Sequence, residues 1–126
     1  MPRESFARYL RELQDELLVL GSMVEKAIGR SLKALKERDL ELARQIITDD
    51  AKINQKRLDI EEGCIELIST QQPVASDLRV IISVLNIIVD LERIGDHAEG
   101  IASIVLMIGD EPPLKPLIDL PRMAEK

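Results

Sequence analysis

The sequence predicts an all-α fold, an antiparallel bundle of three long helices. Apolar residues make up 45% of its 126 residues but aromatic residues only 2%, so the core must consist mainly of aliphatic side chains. The apolar residues recur at spacings of three and four over stretches of roughly 35 residues, which is typical of amphipathic helices. Helix breakers separate these stretches and indicate where the chain turns back.

The first helix is predicted from about Arg3 to Glu37. One apolar stripe follows spacings of four and three along it, and its members are Phe6, Leu10, Leu13, Leu17, Leu20, Val24 and Ala27. The stripe then drifts to Ile28, Leu32 and Leu35, as expected on a nearly straight helix.

The second helix is predicted to begin after Asp39 and to continue to about Thr70. Asp39 suits the N-cap position, and Glu41 adds a negative charge to the first turn, where the helix dipole favours it. A turn this short between two long helices makes them antiparallel neighbours.

The third helix is predicted from about Val74 to Ile108, with Pro73 suited to its first turn. Gly109 and the Pro112-Pro113 pair end it. Residues 1–109 are therefore expected to form one three-helix unit. Residues 110–126 are expected to form a proline-rich linker and the start of a second unit.

Acidic residues interrupt the apolar face of the third helix. The face is formed by Leu78, Ile81, Leu85, Ile88 and Val89. Continued at helical spacing, it meets Glu92, Asp96, Glu99 and Ser103, so three carboxylates are expected to point inward. Burying ionised carboxylates is costly, and they must be paired with a basic side chain, protonated or neutralised by a cation.

The second helix also has polar residues within its apolar arc. They are spaced by four, three and four residues, and they are Asp50, Asn54, Arg57 and Glu61. A further polar stripe on the third helix is expected to face solvent, and it consists of Arg79, Ser83, Asn86, Asp90, Arg93 and His97.

Two interpretations of the acidic residues remain open at this point. The first is a structural salt-bridge network with Arg57 or Arg93. The second is a metal site in which Glu92, Asp96 and Glu99 share a cation with an oxygen pair from the second helix. Oxygen ligands would favour magnesium, manganese or ferric iron over zinc or copper, and the identity of the metal stays open among iron, manganese, magnesium and zinc.

Composition disfavours several classes of function. The net charge of −6 and the absence of a basic, aromatic-rich cluster argue against nucleic-acid binding. The most apolar run, Val80 to Leu91, is too short to span a bilayer. The chain opens without a signal peptide and has a single cysteine, Cys64, so the cytoplasm is the expected compartment.

Cys64 and His97 are not expected to carry chemistry. Cys64 lies in an apolar register, where free cysteines usually behave as small buried hydrophobes, and His97 is expected on the surface rather than as a ligand. Five glycines within the predicted helices are expected at close helix contacts, and they are Gly21, Gly29, Gly63, Gly95 and Gly100.

Three motifs together resemble the PhoU family of phosphate-signalling regulators. They are Asp50-Ala-Lys-Ile-Asn54, Gln71-Gln-Pro-Val-Ala-Ser-Asp-Leu-Arg79 and Asp90-Leu-Glu-Arg-Ile-Gly-Asp-His-Ala-Glu-Gly-Ile-Ala102. The resemblance implies an all-α fold of two tandem three-helix repeats, each with an acidic motif that can bind metal clusters. Carried over by position, the implied metal residues are Asp50, Asn54, Glu92 and Asp96, and Glu99 joins them from its place on the same stripe of the third helix.

The resemblance also implies a regulatory role rather than catalysis. The expected partners are the ATPase subunit of the phosphate ABC transporter and a sensor histidine kinase. The chain has one repeat where the family has two, and Leu117 to Met123 resembles the opening of a second, so self-association as a homodimer is expected. Two alternatives are a purely structural, salt-bridged bundle and a ferritin-like di-metal oxidase, which one histidine and three helices argue against.

Overall fold

A computed structural model describes residues 3–109 as three helices, α1 (Arg3–Glu37), α2 (Leu40–Gln71) and α3 (Ala75–Ile108). Each helix packs against both of the others. The structure confirms the predicted three-helix bundle and places the helix ends within a residue or so of their expected positions. Residues 110–126, the predicted linker, lie outside the described residues, and the proposed division at residue 109 stays a prediction.

The α1–α2 turn is stabilised by its own residues. Arg38 adopts a left-handed conformation with φ of 54°, and the next residue, Asp39, has the extended conformation of an N-cap. The Asp39 side chain accepts a hydrogen bond from the Leu42 N–H at 3.0 Å, while its own N–H donates to the Ala34 carbonyl. The prediction of Asp39 as the N-cap is therefore confirmed.

The α2–α3 connection differs from the prediction in one respect. Pro73 was expected in the first turn of α3, but the helix begins at Ala75 and Val74 occupies the N-cap position. Gln72 is left-handed, with φ of 44° and ψ of 64°. Reversing the chain between antiparallel helices requires non-helical residues, and Gln72 and Pro73 serve this purpose, so Pro73 precedes the helix.

The core has two parts along the bundle. The larger part contains four of the largest fully buried side chains, Leu20, Ile60, Ile81 and Ile88. The smaller part lies near the α1–α2 turn and consists of Ala34, Leu35, Ala43, Ile46, Ala102 and Val105. Alanines in this second part allow the helices to approach closely there.

The buried seam of α3 follows a heptad pattern. Its buried residues are Ile81, Val84, Ile88, Gly95, Ala98, Ala102 and Val105. Val89, predicted on the apolar face, is 50% exposed because it lies about 100° around the helix from Ile88. From Gly95 to Ala102 the inward positions are thus taken by small residues rather than by the acids.

The close-contact prediction for the glycines holds at two of the five positions. A Cβ placed on Gly63 would lie 2.6 Å from Leu13 Cδ2, and one on Gly95 would lie 3.5 Å from Ile53 Cγ2. The prediction is wrong for Gly21, Gly29 and Gly100, since no described non-neighbouring atom comes within 4 Å of a Cβ there.

Within residues 3–109, no helix has the length and apolar character to cross a membrane.

Candidate metal centre

Three carboxylates from two helices converge at one edge of the α2–α3 interface. Asp50 lies on α2, and Asp96 and Glu99 lie three residues apart on α3, where side chains at this spacing share a face. One oxygen from each residue lies within 4.8 Å of the others. We refer to these residues as the Asp50 group.

Gly95 brings α2 close to α3 beneath the Asp50 group. A Cβ on Gly95 would lie 3.8 Å from Asp50 Oδ1, and the neighbouring Ile53 is buried in the core. The small residues Gly95 and Ala98 therefore pack against α2 while the acids beside them remain at the edge.

The acids are less buried than the sequence predicted. Asp50 and Glu99 are half-buried and Asp96 is exposed, while the Glu92 side chain is 34% exposed. The inward orientation predicted for Glu92, Asp96 and Glu99 is wrong. The inward-facing seam of α3 passes instead through the residue before each acid, Leu91, Gly95 and Ala98.

The Asp50 group carries uncompensated negative charge. Burial, the hydrogen bond with Glu99 and repulsion from the Glu99 carboxylate raise the pKa of Asp50 to about 6. Within residues 5–109, no lysine or arginine forms an ion pair with Asp50, Asp96 or Glu99. A cation at this position would relieve the repulsion that raises this pKa.

The other two predicted metal residues lie beside an arginine instead. Arg57 Nη1 donates to Glu61 Oε2 at 2.9 Å, and Nη2 donates to Asn54 Oδ1 at 3.3 Å. Arg57 Nε lies 2.5 Å from Glu92 Oε2 in an ion pair, although the geometry is not that of a directed hydrogen bond. We call these residues the Arg57 network.

The salt-bridge interpretation therefore describes Glu92, which is paired with Arg57 as the sequence suggested. It does not describe the Asp50 group. Oxygens bound to one ion at about 2.0–2.4 Å can be no more than roughly 4.8 Å apart, and the three carboxylates satisfy this limit. The donor set suits a hard cation such as Mg²⁺, Mn²⁺ or Fe³⁺.

The interpretations of His97 and Cys64 agree with the structure. His97 is exposed, as are the other five residues of its polar stripe. Cys64 is fully buried, and burial, with a smaller contribution from Glu61, raises the pKa of its thiol to about 11. A thiol this hard to ionise is a poor nucleophile.

The sequence analysis did not identify the pairing of Asp49, the neighbour of Asp50. Arg30 of α1 donates to Asp49 Oδ2 at 3.1 Å and holds the pKa of that carboxyl below its usual range. Arg30 also donates to Gln45, which lies on α2 one turn before Asp49. Nothing in the spacing of α1 indicated this pairing, which depends on the rotation of α1 against α2.

The fold and site define an all-helical bundle with a carboxylate group between two of its helices. The family model of the PhoU domain matches residues 17–105, which include every predicted metal residue. The phosphate-specific transport system accessory protein PhoU homolog of Aquifex aeolicus is 39% identical over 116 residues, covering 92% of this chain and 52% of that protein.

Two crystal structures also resemble the bundle. PhoU from Pseudomonas aeruginosa superposes with a TM-score of 0.89 at 34% identity, covering 95% of this chain and 58% of that one. The phosphate transport system regulatory protein PhoU from Streptococcus pneumoniae superposes with a TM-score of 0.80 at 36% identity, and the match covers 93% of this chain and 61% of that one. The chain belongs to the PhoU family, and it spans about half the length of the sequence relatives it matches.

Proposed function

We propose that this chain regulates phosphate uptake and phosphate-starvation signalling through contacts with other proteins rather than by catalysis. The family match across residues 17–105 carries the proposal. It is supported by the relative from Aquifex aeolicus, which is named as an accessory protein of a phosphate-specific transport system. We place the protein in the cytoplasm, where a regulator can reach an ATPase subunit.

The proposed partners are the ATPase subunit of the phosphate ABC transporter and a sensor histidine kinase. The immobilised 126-residue chain is expected to retain purified ATPase subunit from the phosphate transporter. An ATPase subunit from an unrelated importer is the control. Equal retention of both subunits, or of neither, would contradict this part of the proposal.

We further propose that the chain forms a homodimer through the outer face of α3. Four apolar side chains lie exposed on that face, Ile82, Val89, Ile104 and Met107, with Met107 83% exposed. Sedimentation equilibrium is expected to give twice the 14.2 kDa mass of one chain. A Val89→Ser/Met107→Ser variant is expected to sediment as a monomer, and a dimer unaffected by these changes would refute this interface.

The Asp50 group is the proposed metal site. Asn54 and Glu92 contact Arg57 in this structure and are proposed to take part only in a larger cluster. Magnesium, manganese or ferric iron suits its oxygen donors better than zinc. The metal would neutralise the acids and adjust the surface that a partner contacts.

Elemental analysis of protein purified without chelator tests this assignment. Near-stoichiometric metal is expected in the parent chain and loss of it in Asp50→Asn/Asp96→Asn. The matched control is Asp90→Asn/Asp59→Asn, which removes two exposed acids elsewhere on α2 and α3 and should retain the metal. No metal in any sample, even after iron, manganese, magnesium or zinc is added, would favour a purely structural bundle, an alternative that the Arg57 network already supports.

A further inference from the structure

A groove lies between the first turns of α1 and the last turns of α2. It has a volume of about 500 Å³ and runs beside Tyr9 to Glu16 on α1 and Gly63 to Gln71 on α2. Its nearest residue on α2, Gly63, is about 20 Å along the helix from Asp50. The groove is therefore separate from the candidate metal centre.

The floor of the groove is apolar. It is formed by Leu13 and Leu67, and Gly63 lies between them without a side chain. A Cβ on Gly63 would lie 2.6 Å from Leu13 Cδ2. The absence of a side chain at Gly63 therefore allows Leu13 to pack directly against α2. Tyr9, which is 37% exposed, forms one end wall. An apolar floor of this kind requires more than an isolated ion to cover it.

The rim of the groove is acidic. The rim is lined by Glu12, Glu16 and Glu66. Of these three glutamates, only Glu16 forms an ion pair with a described residue, and its partner is Lys56. The carbonyl end of α2 adds negative potential, since its last turn contains no basic residue. Charge complementarity therefore calls for a positively charged occupant.

We propose that this groove binds a basic amphipathic helix from a partner protein. Apolar side chains of that helix cover Leu13 and Tyr9, and its lysines or arginines contact Glu12 and Glu66. The groove extends over about two helical turns, enough for residues at i, i+3, i+4 and i+7. The acidic rim repels phosphate groups, which disfavours nucleic acid and anionic lipid as occupants.

A fluorescent 14-residue helical peptide provides the probe. Leucines occupy i, i+3, i+4 and i+7, and lysines flank them. Two control peptides replace either all lysines with glutamate or all leucines with serine. Fluorescence anisotropy with the full 126-residue chain measures binding of each at fixed ionic strength.

Two paired variants separate local binding from net charge. Glu12→Gln/Glu66→Gln neutralises the rim, while Glu25→Gln/Glu37→Gln neutralises two exposed acids of α1 outside the groove. Both have the same net charge, and circular dichroism checks that both remain folded. None of the four side chains is buried, so both variants are expected to fold.

The leucine–lysine peptide is expected to bind the parent chain saturably and about tenfold more weakly to the rim variant. Binding to the Glu25/Glu37 variant should be unchanged, and neither control peptide should bind tightly. Equal weakening in both variants would overturn the proposal because only net charge would matter. Tight binding of the serine peptide would also overturn it, since the apolar floor would then play no part, and so would failure of the leucine–lysine peptide to bind.

Discussion

The Arg57 network and the Asp50 group both join α2 to α3, about 10 Å apart along α2, yet they differ in charge. In the Arg57 network, one guanidinium contacts Asn54, Glu61 and Glu92, so each acid has a positive partner. In the Asp50 group, three carboxylate oxygens lie within 4.8 Å of one another and no described basic residue pairs with them.

The difference shows how one residue decides what acidic residues can do. With Arg57 in place, the acids near it are neutralised within the fold and serve to connect the helices. The Asp50 group has no equivalent arginine. Proton uptake by Asp50 relieves only part of the repulsion between its carboxylates. The Arg57 network is thus suited to stability and the Asp50 group to a cation.

Removing the arginine should have the largest effect. Arg57→Met is expected to lower the free energy of unfolding by about 2–3 kcal/mol, because it leaves Glu61 and Glu92 without their positive partner. The Arg57 side chain is 17% exposed, but the side chains of Glu61 and Glu92 are 39% and 34% exposed. Water therefore compensates for part of the loss and keeps it below the cost of breaking a fully buried ion pair. Urea denaturation measures the change.

Arg93→Met on the exposed face of α3 is the control and should change stability by less than about 0.5 kcal/mol. Equal losses in the two variants would show that the Arg57 network stabilises the fold no more than an ordinary surface arginine.

Adding metal should act on the other region. In chelator-treated protein, Mn²⁺ at about thirty times its dissociation constant is expected to raise the unfolding free energy by ~2 kcal/mol. Asp50→Asn/Asp96→Asn should abolish this gain, whereas Asn54→Ala should preserve most of it. Thermal unfolding with and without Mn²⁺ tests this, and a gain that survives the double substitution would place the ion elsewhere.

The proton at Asp50 should produce a smaller, pH-dependent effect. Because folding raises the pKa of Asp50 to about 6, the folded protein holds this proton more tightly than the unfolded chain does. The resulting stabilisation is complete below pH of about 4 and is lost as the pH rises through about 6.

In metal-free protein, the parent is expected to lose about 1 kcal/mol of unfolding free energy relative to Asp50→Asn as the pH rises across this range. This value is reduced by solvent screening, because Asp50 and Glu99 are partly exposed. Denaturation at a series of pH values measures the shift. A pH-independent difference would mean that Asp50 titrates normally.

The smallest effect is expected at Gly95. The contacts of a Cβ there, 3.5 Å to Ile53 Cγ2 and 3.8 Å to Asp50 Oδ1, are ordinary van der Waals distances. Gly95→Ala should therefore be neutral or stabilise α3 by up to about 1 kcal/mol through helix propensity. Gly100→Ala, where the space is open, is the control. A loss above about 1 kcal/mol at Gly95 alone would show that the α2–α3 contact beneath the Asp50 group tolerates no side chain.

Much of the fold could be predicted because its signals are local. The apolar periodicity of α1 and the Asp39 N-cap depend on residues a few positions apart, and both are confirmed. The prediction that Pro73 lies in the first turn of α3 is wrong, because the path of the chain between α2 and α3 depends on how these helices pack.

The candidate site could be predicted only in part. Asp50, Asp96 and Glu99 were selected from spacing and family resemblance, and the structure brings them together. Their burial was misjudged because four-residue steps were followed along α3, whereas the heptad through Ile88 and Gly95 was already present in the sequence. The separate placement of Asn54 and Glu92 depended on where Arg57 reaches between the helices.

The sequence by itself determined the helical class, the helix lengths, the inert position of Cys64 and the family. These follow from periodicity, caps and motifs, which act over short stretches of chain. Only the tertiary structure decided which acids meet an arginine and which meet one another. That choice depends on the rotation and axial offset of packed helices, which determine side-chain distances to within a few ångströms and so decide whether a carboxylate is neutralised within the fold or left to bind a cation.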